Sequence, residues 1–120
     1  MMIVITSNGK NLSDPVDPRF GRAKNFLLVD TETESFTVHD NAQNLNAAQG
    51  AGIQAAENVS RLGATAVITG NVGPKAFRAL TSAGIKVLLS EACPAANALR
   101  KFKAGEIKEA STANVEGHWT

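Results

Sequence analysis

ATAVITGNVGPKAFRAL, residues 64–80, changes character twice within seventeen positions. Thr65–Thr69 is an unbroken apolar and β-branched run, which suits a strand covered on both faces. Gly70-Asn71-Val72-Gly73 is a turn. Pro74 then opens a helix, because the N–H that proline lacks would be unpaired in a first turn anyway. The two glycines let backbone N–H groups come close to a ligand, the new helix adds a partial positive charge, and Lys75 adds a full one. The stretch fits an anion cradle and equally a plain βα connection; it is neither a Walker A loop nor a GxGxxG fingerprint.

The rest of the chain can be read outward from this unit. Upstream, Ala48, Ala51, Ala55, Val59 and Leu62 recur every three or four residues. They predict a helix over Ala47–Leu62, stopped by Gly63. Downstream, Phe77, Leu80 and Ala83 carry the inward face of the second helix to its stop at Gly84, and Ile85–Leu89 is another buried strand. A last helix runs from Cys93-Pro94 to Lys103, with Ala95, Ala98, Leu99 and Phe102 inward and Gly105 after it. At the head of the chain, Met2–Thr6 is a continuous apolar run and reads as the central strand. Phe26–Asp30 is the second strand, and the polar turn Thr31-Glu32-Thr33-Glu34 leads to Ser35–His39. The alternation there suits an edge strand.

The order β-β-β-α-β-α-β-α, with right-handed crossovers, predicts an α/β protein. Its five-stranded mixed sheet has the order 3-2-1-4-5, strand 2 antiparallel, and carries three helices. The arrangement resembles the ribonuclease H-like architecture. Residues 1–105 are expected to form a single domain, followed by a C-terminal tail over 106–120 that holds the only tryptophan.

Composition narrows the function. Twelve Lys and Arg against eleven Asp and Glu leave a formal net charge of +1, which argues against broad capture of nucleic acid or membrane. No apolar run approaches the ~18 residues of a membrane span, and no signal-peptide pattern is present, so a cytoplasmic location is expected. A single cysteine, Cys93, excludes an internal disulfide. It also excludes a zinc ribbon or an iron–sulfur cluster held by four thiolates of one chain.

In such a sheet the loops Ser7–Lys24, Asp40–Asn46, Gly70–Gly73 and Ser90–Cys93 gather beyond the strand ends, where open α/β sheets bind ligands. Ser7–Lys24 is long for a small domain, and such loops tend to be functional. It carries Lys10, Arg19, Arg22 and Lys24 against Asp14 and Asp17. These charges fit a solvated face of Asp–Arg pairs; they also fit a ligand loop in which Phe20 anchors, Gly21 turns, and Asp17 holds the two arginines. Helix N-termini at Ala47, Pro74 and Pro94 point the same way. Cys93, at the expected N-cap, reads either as a small partly buried residue or as a reactive or ligating thiol. His39 and His118 each read as surface histidines. A two-metal nuclease is excluded, because the first strand has no carboxylate and Asp30 falls at the opposite end of the sheet.

Taken together, these segments resemble a known family. Asp17-Pro18-Arg19-Phe20-Gly21-Arg22-Ala23 looks like the D-x-R-F-G-R-A loop of the dinitrogenase iron–molybdenum cofactor biosynthesis proteins. Residues 50–56, 68–77, 83–87, 102–106 and the closing Gly117-His118-Trp119 match in order and spacing, so the resemblance covers almost the whole chain. Within the family it is similar to the small stand-alone members. It implies a ribonuclease H-like fold that binds or carries a metal–sulfur cluster or its precursor, and the leading expectation is a non-enzymatic carrier, scaffold or store in an anaerobe. The cluster would be of molybdenum–copper sulfide or iron–molybdenum–sulfur type, held non-covalently and exchanged with donor and acceptor proteins.

A thiometallate is a soft polyanion with its own sulfide ligands, so arginines, lysines and backbone N–H groups can hold it without four cysteines. On this resemblance Arg19, Arg22 and Lys75 supply charge. Gly21, Gly70, Asn71 and Gly73 supply backbone donors, Phe20 and Val72 sit in the same loops, and Cys93 or His39 ligates or caps a metal. Ala48-Gln49 stand where the family often has a histidine, which removes one candidate ligand. Cys93-Pro94 replaces more usual polar residues and supplies another. The alternative from a different class is a regulatory or interaction domain whose rim binds a phosphorylated small molecule or a partner protein.

Overall fold

The computed structural model describes residues 1–41 and 50–113. In chain order the elements are β1 (Met2–Ser7), β2 (Asn25–Asp30), β3 (Phe36–Asp40), α1 (Ala51–Arg61), β4 (Ala66–Thr69), α2 (Pro74–Ser82), β5 (Lys86–Leu89), α3 (Ala95–Lys103) and β6 (Lys108–Glu109). The strands form one mixed sheet in the order β3-β2-β1-β4-β5-β6. β1, β4 and β5 are parallel, and β2 runs antiparallel to both its neighbours. The expected order of the first five strands is therefore found.

The expected number of strands is not. β6 lies inside the segment read as a tail and pairs antiparallel with β5, Leu88 opposite Glu109 and Leu89 opposite Lys108. Its origin is the end of α3. Gly105 takes φ 72°, its N–H donates to Phe102 O at 3.1 Å, and the Glu106 N–H donates to Lys101 O at 2.9 Å. That pair of bonds is a Schellman closure, which turns the chain back on itself. Ile107 then packs against the core beside α3, and the next two residues fall along β5. Two residues are too few to leave a period in the sequence.

Pleating splits the core into two layers. Val4, Phe26, Val67 and Val87 face α1 and α2, meeting Ala55, Ala56, Val59, Ala76 and Leu80. Ile3, Ile5, Leu27, Ile68 and Leu88 face α3, meeting Ala95, Ala98 and Leu99. Alanine at so many contacts lets the helix axes lie close to the sheet. The stops expected at Gly63 and Gly84 are also found, both at positive φ. The expected start of the first helix, Ala47–Gln49, lies outside the described residues, as do residues 42–46 of the polar loop and His118 and Trp119 of the tail.

Candidate functional site

β1, β4 and β5 end at one edge, and β3, parallel to β1, ends there too. The segment between β1 and β2 arches over this edge. Three isolated bridges hold it down: Ser7 with Val16, Pro15 with Pro94, and Arg19 with Asn71. Val16 is buried in the layer under α3, whereas Phe20 and Ala23 are buried in the layer under α1 and α2. The loop thus crosses from one face of the sheet to the other, and Asp17 sits at the crossing, 2% exposed.

A buried carboxylate needs partners, and Asp17 has them. Its Oδ1 accepts the Arg19 N–H at 3.0 Å and its Oδ2 the Lys24 N–H at 3.3 Å, which ties both ends of the Arg19–Lys24 segment to one side chain. Its own N–H donates to Thr6 O at 2.9 Å. The Thr6 hydroxyl donates to Asp17 O at 2.8 Å and lies 2.9 Å from Thr69 Oγ1. Residues at the ends of two neighbouring strands, Thr6 of β1 and Thr69 of β4, therefore fasten the loop. Asn41, fully buried, completes the clamp. Its Nδ2 donates to Gly21 O at 3.3 Å and Ala23 O at 2.9 Å, and its N–H to Lys24 O at 3.0 Å. Sequence reasoning passed over Asn41, Thr6 and Thr69. The one signal on offer was that both MIVIT and AVIT end in threonine.

The candidate residues divide by exposure. Arg19 and Lys75 are exposed, and Arg22, Gly70 and Asn71 half-buried. Phe20 and Val72 are wholly buried; Phe20 stacks on Phe26 with ring centroids 6.0 Å apart. These two side chains anchor their loops and leave no apolar surface for a ligand. Phe20 N–H also donates to Asn71 O at 3.2 Å, and Asn71 Nδ2 to Pro18 O at 2.9 Å, so the arginine loop and the glycine turn form one unit.

Gly70 is required by the packing of that unit. A Cβ there would lie 2.7 Å from Pro18 Cα and 3.0 Å from Pro18 O, distances that only the absence of a side chain permits.

The helix N-termini differ as well. At α3 the Ala95 N–H donates to Asp14 O at 2.9 Å and the Ala96 N–H to Leu12 O at 2.8 Å, so the loop itself occupies the donors expected to face an anion. α2 begins at Gly73 with no side-chain cap, and Lys75 lies in its first turn. Pro94, not Cys93, is the N-cap of α3. Cys93 is half-buried one residue earlier, with Sγ 3.5 Å from Ser90 Oγ.

His39 pairs with Phe26, and Phe26 with Thr6, so it stands level with the rim. It faces α1, lining a cavity of about 240 Å³ with Asp40, Asn58 and Arg61, and its Nε2 lies 2.9 Å from Thr37 Oγ1. Cys93 packs on the other face. Four strand spacings of ~4.8 Å separate β3 from β5, roughly 19 Å, so the two cannot ligate one ion. Among the described residues no three His, Cys, Asp or Glu side chains are grouped to hold a bare metal ion.

Between the arched loop and residues 90–92 lies a cavity of about 360 Å³, floored by Val16, Pro18, Gly70 and Asn71 and walled by Asn8, Ser90 and Glu91.

A mixed sheet whose parallel strand ends are roofed by a clamped arginine loop defines the class, and the chain belongs to the dinitrogenase iron–molybdenum cofactor family, whose description matches residues 1–105. Among solved structures it is similar to the apo form of the orange protein from Desulfovibrio gigas. That match has 41% identity and a TM-score of 0.92 over 95% of this chain and 96% of the other. It is also similar to a candidate NifB protein from Thermotoga, with 34% identity and a TM-score of 0.83 over 97% and 98%. An uncharacterized protein of Methanocaldococcus jannaschii is 26% identical over 111 residues, 91% of each chain. Among the described residues no helix is long and apolar enough to cross a membrane.

Proposed function

We propose that the protein is a non-enzymatic carrier or store that holds a molybdenum-containing metal–sulfur cluster, or its thiometallate precursor, at the rim beyond the parallel strand ends. The observation that supports this reading is the Arg19–Lys24 segment, its backbone clamped by Asp17 and Asn41 and joined through Arg19 and Asn71 to the turn that leads into α2 and Lys75. These donors suit a polyanion whose metals already have sulfide ligands, since fixed N–H groups and guanidinium forks bind anion surfaces without displacing those ligands. The donor set does not suit a bare ion. The match to a protein solved in an apo form supports a cargo that separates from the chain. Molybdenum–copper sulfide and iron–molybdenum–sulfur cargoes both fit, and so does the ribonuclease H-like reading of the sheet. Cluster donor and acceptor proteins are the partners that this role requires.

The test is an anaerobic titration of the apo-protein with tetrathiomolybdate, with and without copper, followed by desalting, a visible spectrum and metal analysis. Retained colour with stoichiometric molybdenum and sulfide is expected. Loss of every metal on desalting, iron with sulfide included, would instead favour a regulatory or interaction domain. Arg19→Ala combined with Arg22→Ala should fold normally and lose most of its uptake, at roughly 1.5–3 kcal/mol per charge-assisted contact removed. Undiminished uptake by the folded double variant would sink the charge-cradle idea.

A further inference from the structure

Asn8 is the one asparagine of the chain that glycine follows, and that pair has a chemistry of its own. The backbone nitrogen after an asparagine can attack the side-chain amide carbon, which is one reason asparagine is thermolabile. Glycine, with no Cβ and the widest choice of backbone angles, hinders that attack least.

The fold leaves the pair open to it. β1 ends at Ser7, so Asn8 and Gly9 lie outside the ladder. Asn8 is exposed, and its side-chain amide lines the rim cavity of about 360 Å³ with no hydrogen-bond partner among the described residues. The Gly9 N–H donates to the Ser7 hydroxyl at 3.1 Å rather than to a sheet carbonyl. Asn25 and Asn41 are the opposite case: both are buried, with Nδ2 donating to Gly9 O at 3.1 Å and Ala23 O at 2.9 Å. Gly9 itself is fixed by packing. The Asp14 carboxylate, held by the Asn11 N–H at 3.0 Å, fills the space that a Cβ would take.

A change of charge at Asn8 would be felt at the rim. Of the described residues lining the cavity, one is ionisable, Glu91, and none is cationic. Pro18, which precedes Arg19, lines it too. A second carboxylate would make this hollow acidic beside the arginine loop, and such repulsion reaches ~8 Å in physiological salt.

We infer that Asn8 is a site of spontaneous deamidation in the folded protein, and that the carboxylate it leaves repels anions from the rim, so that cargo uptake declines as the protein ages. The second half rests on the cargo reading above; the first does not. In the reaction Gly9 N bonds to Asn8 Cγ and gives its proton to solvent base, and the side-chain nitrogen takes a proton from solvent and leaves as ammonia. Water then opens the succinimide. Breaking the new N–Cγ bond yields an aspartate, and breaking the original peptide bond yields an isoaspartate; each carries one negative charge.

The test is peptide-resolved mass spectrometry of the full-length apo-protein during incubation in mildly alkaline buffer. Conversion should locate to Asn8, outpace that at the other asparagines many-fold, and run within several-fold of the rate in the urea-unfolded chain. Asn8→Gln, which must close a larger ring, should stay unconverted. Asn8→Asp, a standard for the product, should hold tetrathiomolybdate several-fold more weakly than wild type, with added salt narrowing the gap. A folded protein that stays unconverted while the unfolded chain reacts would overturn the site, and equal tetrathiomolybdate binding by Asn8→Asp and wild type would overturn the repulsion. Binding by neither would fell the cargo reading and the repulsion with it, and the mass spectra would still decide the modification.

Discussion

The two ends of the sheet are closed in opposite ways. At the end away from the rim, β2 and β3 are joined by a short polar turn. Glu34 takes φ 63° there, the Asp30 carboxylate accepts the Glu32 N–H at 2.9 Å, and Glu34 reaches Lys103 at 2.7 Å between two exposed side chains. Such a pair contributes about 0–1 kcal/mol. At the rim, an irregular segment of seventeen residues between β1 and β2 is buried through Val16, Asp17, Phe20 and Ala23. β3, a regular strand, has no fully buried residue. Regular hydrogen bonding and burial have separated in this molecule. The loop lacks a ladder, so it is held by side chains with fixed partners, and that is what lets it present charged groups in a defined place.

Four outcomes break or sharpen this contrast. The largest effect is expected from Phe20→Ala, which empties a fully buried site stacked on Phe26 and should cost about 3–5 kcal/mol in urea denaturation. A cost under about 1 kcal/mol would mean that the loop is a surface appendage and the contrast false. Gly70→Ala should cost about 1–3 kcal/mol, because the added methyl meets Pro18 backbone rather than a movable side chain. A stable Gly70→Ala protein with weakened cargo uptake would mean that the space at Gly70 is needed by the cargo and not by Pro18. Removing Arg19 and Arg22 together should cost little stability and much uptake, the reverse of Phe20→Ala.

The smallest effect is at the other end. Backbone hydrogen bonds, that from Glu32 first, hold the Asp30 carboxyl below its ordinary 3.8. A group lowered in the folded state stabilises above its unfolded value and loses that contribution as pH falls through the folded one. Asp30→Asn should therefore be slightly destabilising at neutral pH and equal to wild type in strong acid, as read from paired urea melts. A difference that persists in acid would assign the effect to packing instead.

Much of the frame was legible because its signals are local. Apolar runs gave β1, β2, β4 and β5, and Gly63, Gly84 and Gly105 ended their helices where a residue at positive φ was required. The gathering of loops at one rim followed from strand direction alone. What was not legible depends on contacts distant in sequence. Gly70 is a glycine because of Pro18, fifty-two positions earlier. Asn41 looks like any polar loop residue until the carbonyls of Gly21 and Ala23 are beside it. The α3 N-terminus looked open because nothing in residues 93–96 reveals that Leu12 and Asp14 occupy its first donors. Cys93 and His39, alternative ligands in the sequence, lie on opposite faces of the sheet, and nothing local to either residue reveals which face it takes.

The central claim, that the clamped rim and not another surface receives the cargo, is tested most directly by following backbone amide resonances of the apo-protein during an anaerobic tetrathiomolybdate titration. Saturable shifts concentrated in residues 19–24 and 70–76, with residues 31–35 and 84–86 unmoved, are the predicted result. Shifts centred on the β2–β3 turn or the β5–β6 end, or none that saturate, would contradict it.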